Sequence, residues 1–295
     1  MTVSINCVVD SQSTVGEGPL WDSRSNHLWW VDIPLGVVYR FNPAGGHNEH
    51  FVIGEPVGCM ALRDAGGLVL ATRSGFYFYD ADSGEKTAIT DPEADQPDNR
   101  FNDGGTDRQG RFWAGTMFDG EVKSTEPHGA FYRLDEDGNV YRGPDGFFTT
   151  NGLAFSPDGK TMYFSESNAA IRTVWRCDYD VTDGVPGERE VFLDTHGMPG
   201  RPDGGTVDTD GCYWMAAVSG WQVLRITPAG NVDRVIDLPI ERPSKPMFGG
   251  ADLKTLYVTS INAGLTPGST QPQAGGLFAI EGTGAQGLKE TPFRG

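Results

Sequence analysis

The chain has 295 residues, of which 38% are hydrophobic and 11% aromatic, enough apolar material for a substantial core and too much for a disordered chain. Its 23 basic and 40 acidic side chains leave a net charge of −17, a field that repels nucleic acid and anionic membrane and favours capture of cations. No stretch approaches the roughly 18 consecutive apolar residues of a membrane span. The opening MTVSINCVVD carries neither a basic leader nor an apolar run, so a cytoplasmic protein, and a monomer, is expected. The scattered cysteines Cys7, Cys59, Cys177 and Cys212 form no CxxC pair and read as reduced, buried thiols. The 41 glycines and 19 prolines are spread along the chain, which suggests many turns between short strands rather than a linker.

In chain order, one pattern recurs: a polar turn followed by a short strand-like run. It reads DSRSNHLWWV from Asp22, RDAGGLVLAT from Arg63, DRQGRFWAGT from Asp107, SPDGKTMYFS from Ser156, DTDGCYWMAA from Asp208 and GADLKTLYVT from Gly250. The apolar anchors Leu28, Leu68, Phe112, Met162, Tyr213 and Leu256 recur 40 to 51 residues apart, close to the period of a four-stranded propeller blade. Several anchors are followed by a second strand-like run, as in GFYFYDADSG at Gly75, GAFYRLDEDG at Gly129, TVWRCDYD at Thr173 and QVLRITPAG at Gln222. Asp-Gly and Pro-Asp-Gly turns join such runs as hairpins require, and no useful helical periodicity appears. The reading is all-β: one six-bladed β-propeller of four-stranded antiparallel blades, a single domain over 1–295.

Stepping back five residues from the start of each turn gives Glu17, Gly58, Asn102, Asn151, Asp203 and Lys245. Equivalent positions in a propeller converge on its axis. Four of the six carry a side-chain oxygen, and each of those four is followed by Gly or Asp-Gly, which lets backbones crowd a small site. Converging carboxylates repel one another and cost several kcal/mol to bury unpaired. A cation removes that cost. An all-oxygen set without Cys or His suits Ca²⁺, Mg²⁺ or Mn²⁺, with Zn²⁺ and Fe²⁺ also open. The alternative is a wet, polar channel in which Lys245 pairs with one of the acids. Two residues before the ring position lie Arg100 and Arg201, on the same side of an extended strand and so able to reach whatever a metal binds; the alternative for each is a surface acid, such as Asp98 or Asp103.

The stretches GEGPLWD around Glu17, RFNDGGTDRQGRFWAGTM around Asn102, TNGLAFSPDGKTMYFSES around Asn151, RPDGGTVDTDGCYWMA around Asp203, FGGADLKTLYVTS and QPQAGGLFAI together resemble the senescence marker protein (regucalcin)/gluconolactonase family. The match runs in order along nearly the whole chain. The resemblance implies a six-bladed propeller that hydrolyses sugar lactones with one divalent ion, Ca²⁺ first among the candidates. It places the metal ligands on Glu17, Asn151 and Asp203, the general base on Asp203, a further substrate or shell residue on Asn102, and a substrate-binding arginine on Arg100. Members often carry a substrate-contacting acid after the GTM motif. Here FDGEVKSTEPHG offers Asp119 or Glu121. Lys245 and Arg201 stand where regucalcin-like members have smaller or uncharged residues, which bears on substrate preference.

The implied reaction opens an aldonolactone, such as xylono-, arabino- or gluconolactone, to the aldonic acid, with Arg100 and Asp203 as the catalytic groups. Loops at 118–129, 219–221 and 262–275 are expected to return to the same mouth, making Phe118, Asp119, Trp221 and Asn262 candidate walls. For Trp221 the competing reading is a core aromatic at a blade edge. Two other functions share such a scaffold: a non-catalytic calcium-binding regulatory protein, and a metal-dependent esterase, including organophosphate hydrolysis. No GxSxG, HExxH or GxxxxGK[ST] motif occurs. His47 and His50 fall in AGGHNEHF, which reads as a solvated turn.

Overall fold

The computed structural model describes residues 2–122 and 124–295. The strands form six antiparallel sheets, each built around a meander, arranged as the blades of a propeller. The innermost strands are Gly16–Asp22, Val57–Leu62, Asn99–Thr106, Thr150–Phe155, Arg201–Val207 and Pro243–Gly249 in blades 1 to 6. Each anchor lies in the next strand of its blade: Leu28 in His27–Asp32, Leu68 in Leu68–Thr72, Phe112 in Phe112–Phe118, Met162 in Thr161–Glu166, Tyr213 in Tyr213–Val218 and Leu256 in Thr255–Ser260. All six anchors are buried.

The apolar core is divided among the seams between blades. One cluster joins Val69 and Phe76 of blade 2 to Phe101 and Phe112 of blade 3, and another joins Trp113 and Phe131 of blade 3 to Leu153 and Phe164 of blade 4. The other four seams are filled in the same way. Fully burying such side chains contributes about 1.5–3 kcal/mol each. Because the apolar side chains are spent at the seams, the axis is left to polar residues.

Blade 6 is completed by the N-terminal strand Ser4–Val9, which pairs with Leu277–Glu281 and so ties the two ends of the chain together. Blade 4 carries an extra pairing at Val185–Pro186 beside its outer strand Glu190–Asp194. Contrary to the solvated turn read from the sequence, His47 and His50 lie in the outermost strand of blade 1, His47–Val52; three residues apart in a strand, they point to opposite faces. The four cysteines are free thiols, and three of them are buried.

The C-terminal tail crosses the face opposite the ring. The Gly287 and Thr209 amides donate to Leu253 and Gln286 carbonyls at 2.8 Å each, and farther on the Phe293 amide donates to the Leu62 carbonyl at 2.7 Å. Phe293 packs into the seam of blades 2 and 3. Above the tail, a cavity of about 40 Å³ is lined by Leu20, Met60, Phe155, Met247 and Glu290 among others.

Candidate active site

Every innermost strand breaks its register at the ring position. The irregularities fall between Glu17 and Leu20, Val57 and Cys59, Phe101 and Gly104, Asn151 and Ala154, Pro202 and Gly205, and Pro243 and Pro246. A bulge bends the strand and re-aims a side chain; it recurs in all six blades, at five polar side chains and at Gly58. Gly18 and Gly152, immediately after Glu17 and Asn151, take φ of 55° and 67°, a backbone state that favours glycine. Glu17, Asn102, Asn151, Asp203 and Lys245 are all between 3% and 8% exposed, so the ring is a buried polar layer.

Hydrogen bonds run around one side of this ring. Arg100 Nη1 donates to Asn102 Oδ1 at 2.9 Å, and Asn102 Nδ2 donates to Asn151 Oδ1 at 3.1 Å and to the Thr150 carbonyl at 2.8 Å. Asn151 Nδ2 donates to Ser167 Oγ at 2.7 Å, and Ser167 Oγ to the Pro202 carbonyl at 2.6 Å. Each amide is thus fixed at both ends, and Asn151 Oδ1 keeps acceptor capacity beyond its bond from Asn102.

The carboxylates are treated differently. Glu17 Oε2 accepts only the Gly18 amide, at 2.8 Å, and the Asp203 carboxylate receives no hydrogen bond among the described residues. Burial pushes Asp203 up to about 7, helped by the nearby charge of Asp103 and opposed by Arg242, Arg201 and Lys245. Glu17 is raised well above the carboxylate range by burial, then by Asp203 and Asp103. Lys245 does pair with an acid, Asp103, and its Nζ donates to the Gly104 carbonyl at 3.0 Å. Burial works against the Lys245 charge, but Asp103 and Glu17 outweigh it and raise its pKa. With all three ionised, the carboxylates Glu17, Asp103 and Asp203 would exceed the one ammonium of the layer by two charges, the excess that one divalent ion would balance. Among the described residues no three His, Cys, Asp or Glu side chains cluster to hold a metal. The fitting donor set is two carboxylates and an amide: Glu17, Asp203 and Asn151, with Asn102 beside them.

At the rim, Arg100 Nε lies 3.3 Å from Asp119 Oδ2, and Arg73, which the sequence did not single out, holds the same carboxylate oxygen. Arg100 therefore pairs with neither Asp98 nor Asp103. Glu121 is exposed and makes no hydrogen bond or ion pair with a ring residue among the described residues. Phe118 packs on His128, with ring centroids 5.3 Å apart.

Trp221 is 39% exposed and is not a core aromatic at a blade edge. It is held with φ of 63° by bonds of its backbone to Glu241 and Leu238. The loop at 262–275 is fastened to the propeller: Glu241 accepts the Thr266 amide at 3.0 Å and hydroxyl at 2.9 Å, and Gln271 Nε2 at 3.2 Å. Asn262 donates its amide to the Ser13 carbonyl at 3.1 Å. Arg201 makes no side-chain hydrogen bond or ion pair among the described residues, and its Nε is buried without a partner. Arg242, also unremarked in the sequence, lies close enough to Asp203 and Arg201 to feel both charges.

The same architecture occurs in solved structures: a luciferin-regenerating enzyme (TM-score 0.92, 26% identity, 99% of this chain and 100% of that one) and a calcium-binding protein, regucalcin, from Agrobacterium tumefaciens (TM-score 0.92, 28% identity, 99% and 97%). In sequence the chain is 37% identical to a 6-deoxy-6-sulfogluconolactonase of Pseudomonas putida over 100% of both chains. It is 34% identical to regucalcin of Xenopus laevis over 100% of this chain and 99% of that one. The SMP-30/Gluconolactonase/LRE-like region matches residues 15–262, a span that takes in every ring position from Glu17 to Lys245. With the propeller, the repeated register and full-length similarity in agreement, the chain belongs to the SMP-30/gluconolactonase family.

Proposed function

We propose that the protein is a metal-dependent hydrolase that opens a sugar lactone to its aldonic acid, with Glu17, Asn151 and Asp203 holding one divalent ion. The observation that carries this reading is the pair of buried carboxylates, Glu17 and Asp203, which form no ion pair among the described residues, in a layer whose Glu17 charge reaches Arg100. The names of the relatives, a sulfogluconolactonase and a calcium-binding regucalcin, support lactone chemistry and a divalent ion in turn.

A bound divalent ion would supply polarisation of the lactone carbonyl and a more acidic water. Asp203, free of hydrogen bonds of its own, accepts the proton of the water that attacks the acyl carbon. Arg100, buried at its stem and anchored through Asn102, stabilises the negative charge that develops on the carbonyl oxygen. As the acyl carbon–ring oxygen bond breaks, the proton held by Asp203 passes to the departing ring oxygen. One water is consumed, and a hydroxy acid results. Asn102 sets the direction of both Arg100 and Asn151, and Asp119 holds the guanidinium of Arg100 at the rim. A simple ion buffer does not need an arginine over its carboxylates, which favours catalysis over storage.

The test strips the protein with chelator and follows acid release from xylono-, arabino- and gluconolactone as Ca²⁺, Zn²⁺, Mn²⁺, Mg²⁺ or Fe²⁺ is restored singly. The expected result is hydrolysis above the spontaneous rate that depends on the added ion. No ion-dependent rate on any sugar lactone would sink the proposal.

A further inference from the structure

Arg201 and Arg242 stand apart from the ion-paired arginines of this acidic chain; Arg172 shares their buried, unpartnered Nε, but its guanidinium is held by the carbonyls of Thr195, Met198 and Gly200. Arg225 is ringed by Asp208, Asp210 and Asp233 at 2.7, 2.8 and 2.8 Å, and Arg111 is held by Asp107 at 2.6 Å. By contrast, Arg201 has no hydrogen-bonded partner among the described residues. Arg242 has only the carbonyls of Ala263 and Gly264 on Nη1, at 2.7 and 2.9 Å. The Nε of each is buried and unpartnered. An unsatisfied buried donor on a charged group is costly to the fold. Two half-buried guanidiniums near enough to repel each other add to that cost. Asp203 relieves them only in part: its charge reaches both, but neither approaches it to ion-pair distance among the described residues.

The surroundings are built rather than incidental. Arg201 opens the innermost strand of blade 5 and Arg242 precedes that of blade 6, so both sit on the mouth side of the ring. Glu241, the acid next to Arg242, spends its carboxylate hydrogen bonds on Thr266 and Gln271; its charge reaches Arg242, but it forms no ion pair with it among the described residues. The same bonds fix the 262–275 loop beside the seam, and Trp221 supplies an exposed indole whose backbone is tied to Glu241. In a six-bladed ring, blade 3 faces blade 6. A ligand whose reacting end meets Arg100 on blade 3 therefore points its far end toward Arg201 and Arg242.

We propose that Arg201 and Arg242 form an anion subsite that takes a terminal tetrahedral oxyanion, a sulfonate or phosphate, on the carbon of the sugar lactone farthest from its acyl group. Such groups present several acceptor oxygens to the planar forks of two arginines, a match that a neutral hydroxymethyl end cannot make. The subsite rests on the lactonase reading for the identity of the ligand, but its two arginines can be tested without turnover.

The experiment compares kcat/KM for gluconolactone and for its 6-phospho and 6-sulfo analogues, alongside calorimetric binding of gluconate, 6-phosphogluconate and 6-sulfogluconate. The wild-type protein should favour at least one charged lactone by about tenfold or more, chiefly through KM, and bind the matching acid more tightly than gluconate. Arg201→Gln and Arg242→Gln should each collapse that charged-to-neutral ratio, and Arg242→Lys, which keeps the charge but loses the fork, should fall between. Melting curves identify any variant that fails to fold, and the wild-type ratios stand without variants. Lowering the pH through the second phosphate ionisation near about 6 should weaken the phosphate arm and spare the sulfonate arm. Equal handling of charged and neutral lactones with equal binding of their acids overturns the subsite and leaves the lactonase reading intact. Charged acids bound through the two arginines, with no lactone hydrolysed, would support the subsite and sink the lactonase reading.

Discussion

In blade 5 one aspartate lies within the innermost strand and another just after it, five residues apart, and the fold treats them in opposite ways. Asp208, at the turn end, is completely buried, and both its oxygens are occupied. Oδ1 accepts the Asp210 and Cys212 amides at 3.0 Å each, and Oδ2 accepts Trp214 Nε1 at 2.8 Å and Arg225 Nε at 2.7 Å. Asp203, at the mouth end, is nearly as buried, and its carboxylate accepts no hydrogen bond among the described residues. Blade 3 repeats the first half of the contrast: Asp107 accepts Arg111 Nε and the Tyr179 hydroxyl at 2.6 Å each. A buried acid with its donors supplied is part of the scaffold. A buried acid whose donors are withheld, five positions earlier in the same repeat, fits the proposed cation site.

Neutralising each aspartate of that pair should separate the two roles most sharply. Asp203→Asn should lower lactone turnover by roughly 10²–10⁴-fold while the melting temperature holds or rises, because a buried repulsive charge is removed. Asp208→Ala should do the reverse. It strands Arg225 and Trp214 and should cost about 3–5 kcal/mol in denaturant unfolding, while activity per folded molecule is retained. Equal effects of both changes on stability and on turnover would erase the distinction.

The pH dependence of the metal-free protein tests the same contrast more finely. Asp203 titrates at about 7 in the fold against 3.8 for an ordinary aspartate, so the folded form holds its proton more tightly than the unfolded chain does. Its contribution to stability is complete below the lower value and is lost as pH rises toward the upper one, on the order of a few kcal/mol across that window. A divalent ion competes with that proton. The rise in melting temperature on adding the ion should therefore grow between about pH 4 and pH 7 and be smaller in Asp203→Asn. An ion effect that does not vary with pH would contradict the assignment. A smaller change is expected from Asn102→Ala, which releases both Arg100 and Asn151: metal affinity should fall about 10–100-fold, read by calorimetry, with the fold retained.

The ring was legible in the sequence because it is a repeated register: five polar side chains and one glycine at a constant offset from six similar turns. The blade anchors were legible for the same reason. Features that break the repeat were not. The strand Ser4–Val9 closes blade 6 from the far end of the chain, and nothing in its own alternation names Leu277–Glu281 as partner. Lys245 read as an acid's possible partner, but the choice of Asp103 depends on which side chains meet across the axis. Arg73, Ser167 and Arg242 lie outside the compared positions, and only the folded rim brings them to the site. His47 and His50 sit beside a glycine pair that signalled a turn, yet pairing with Val37–Asn42 draws them into a strand.

The most direct measurement is calorimetric titration of Ca²⁺ into chelator-stripped protein and into Glu17→Gln, Asp203→Asn and Asp208→Asn at one pH above the Asp203 ionisation. The structure predicts one ion per wild-type chain, binding lost or weakened by at least about tenfold in the two mouth variants, and binding preserved in folded Asp208→Asn. Unchanged binding in Glu17→Gln and Asp203→Asn would contradict the claim that the uncompensated acids of the mouth are the metal site.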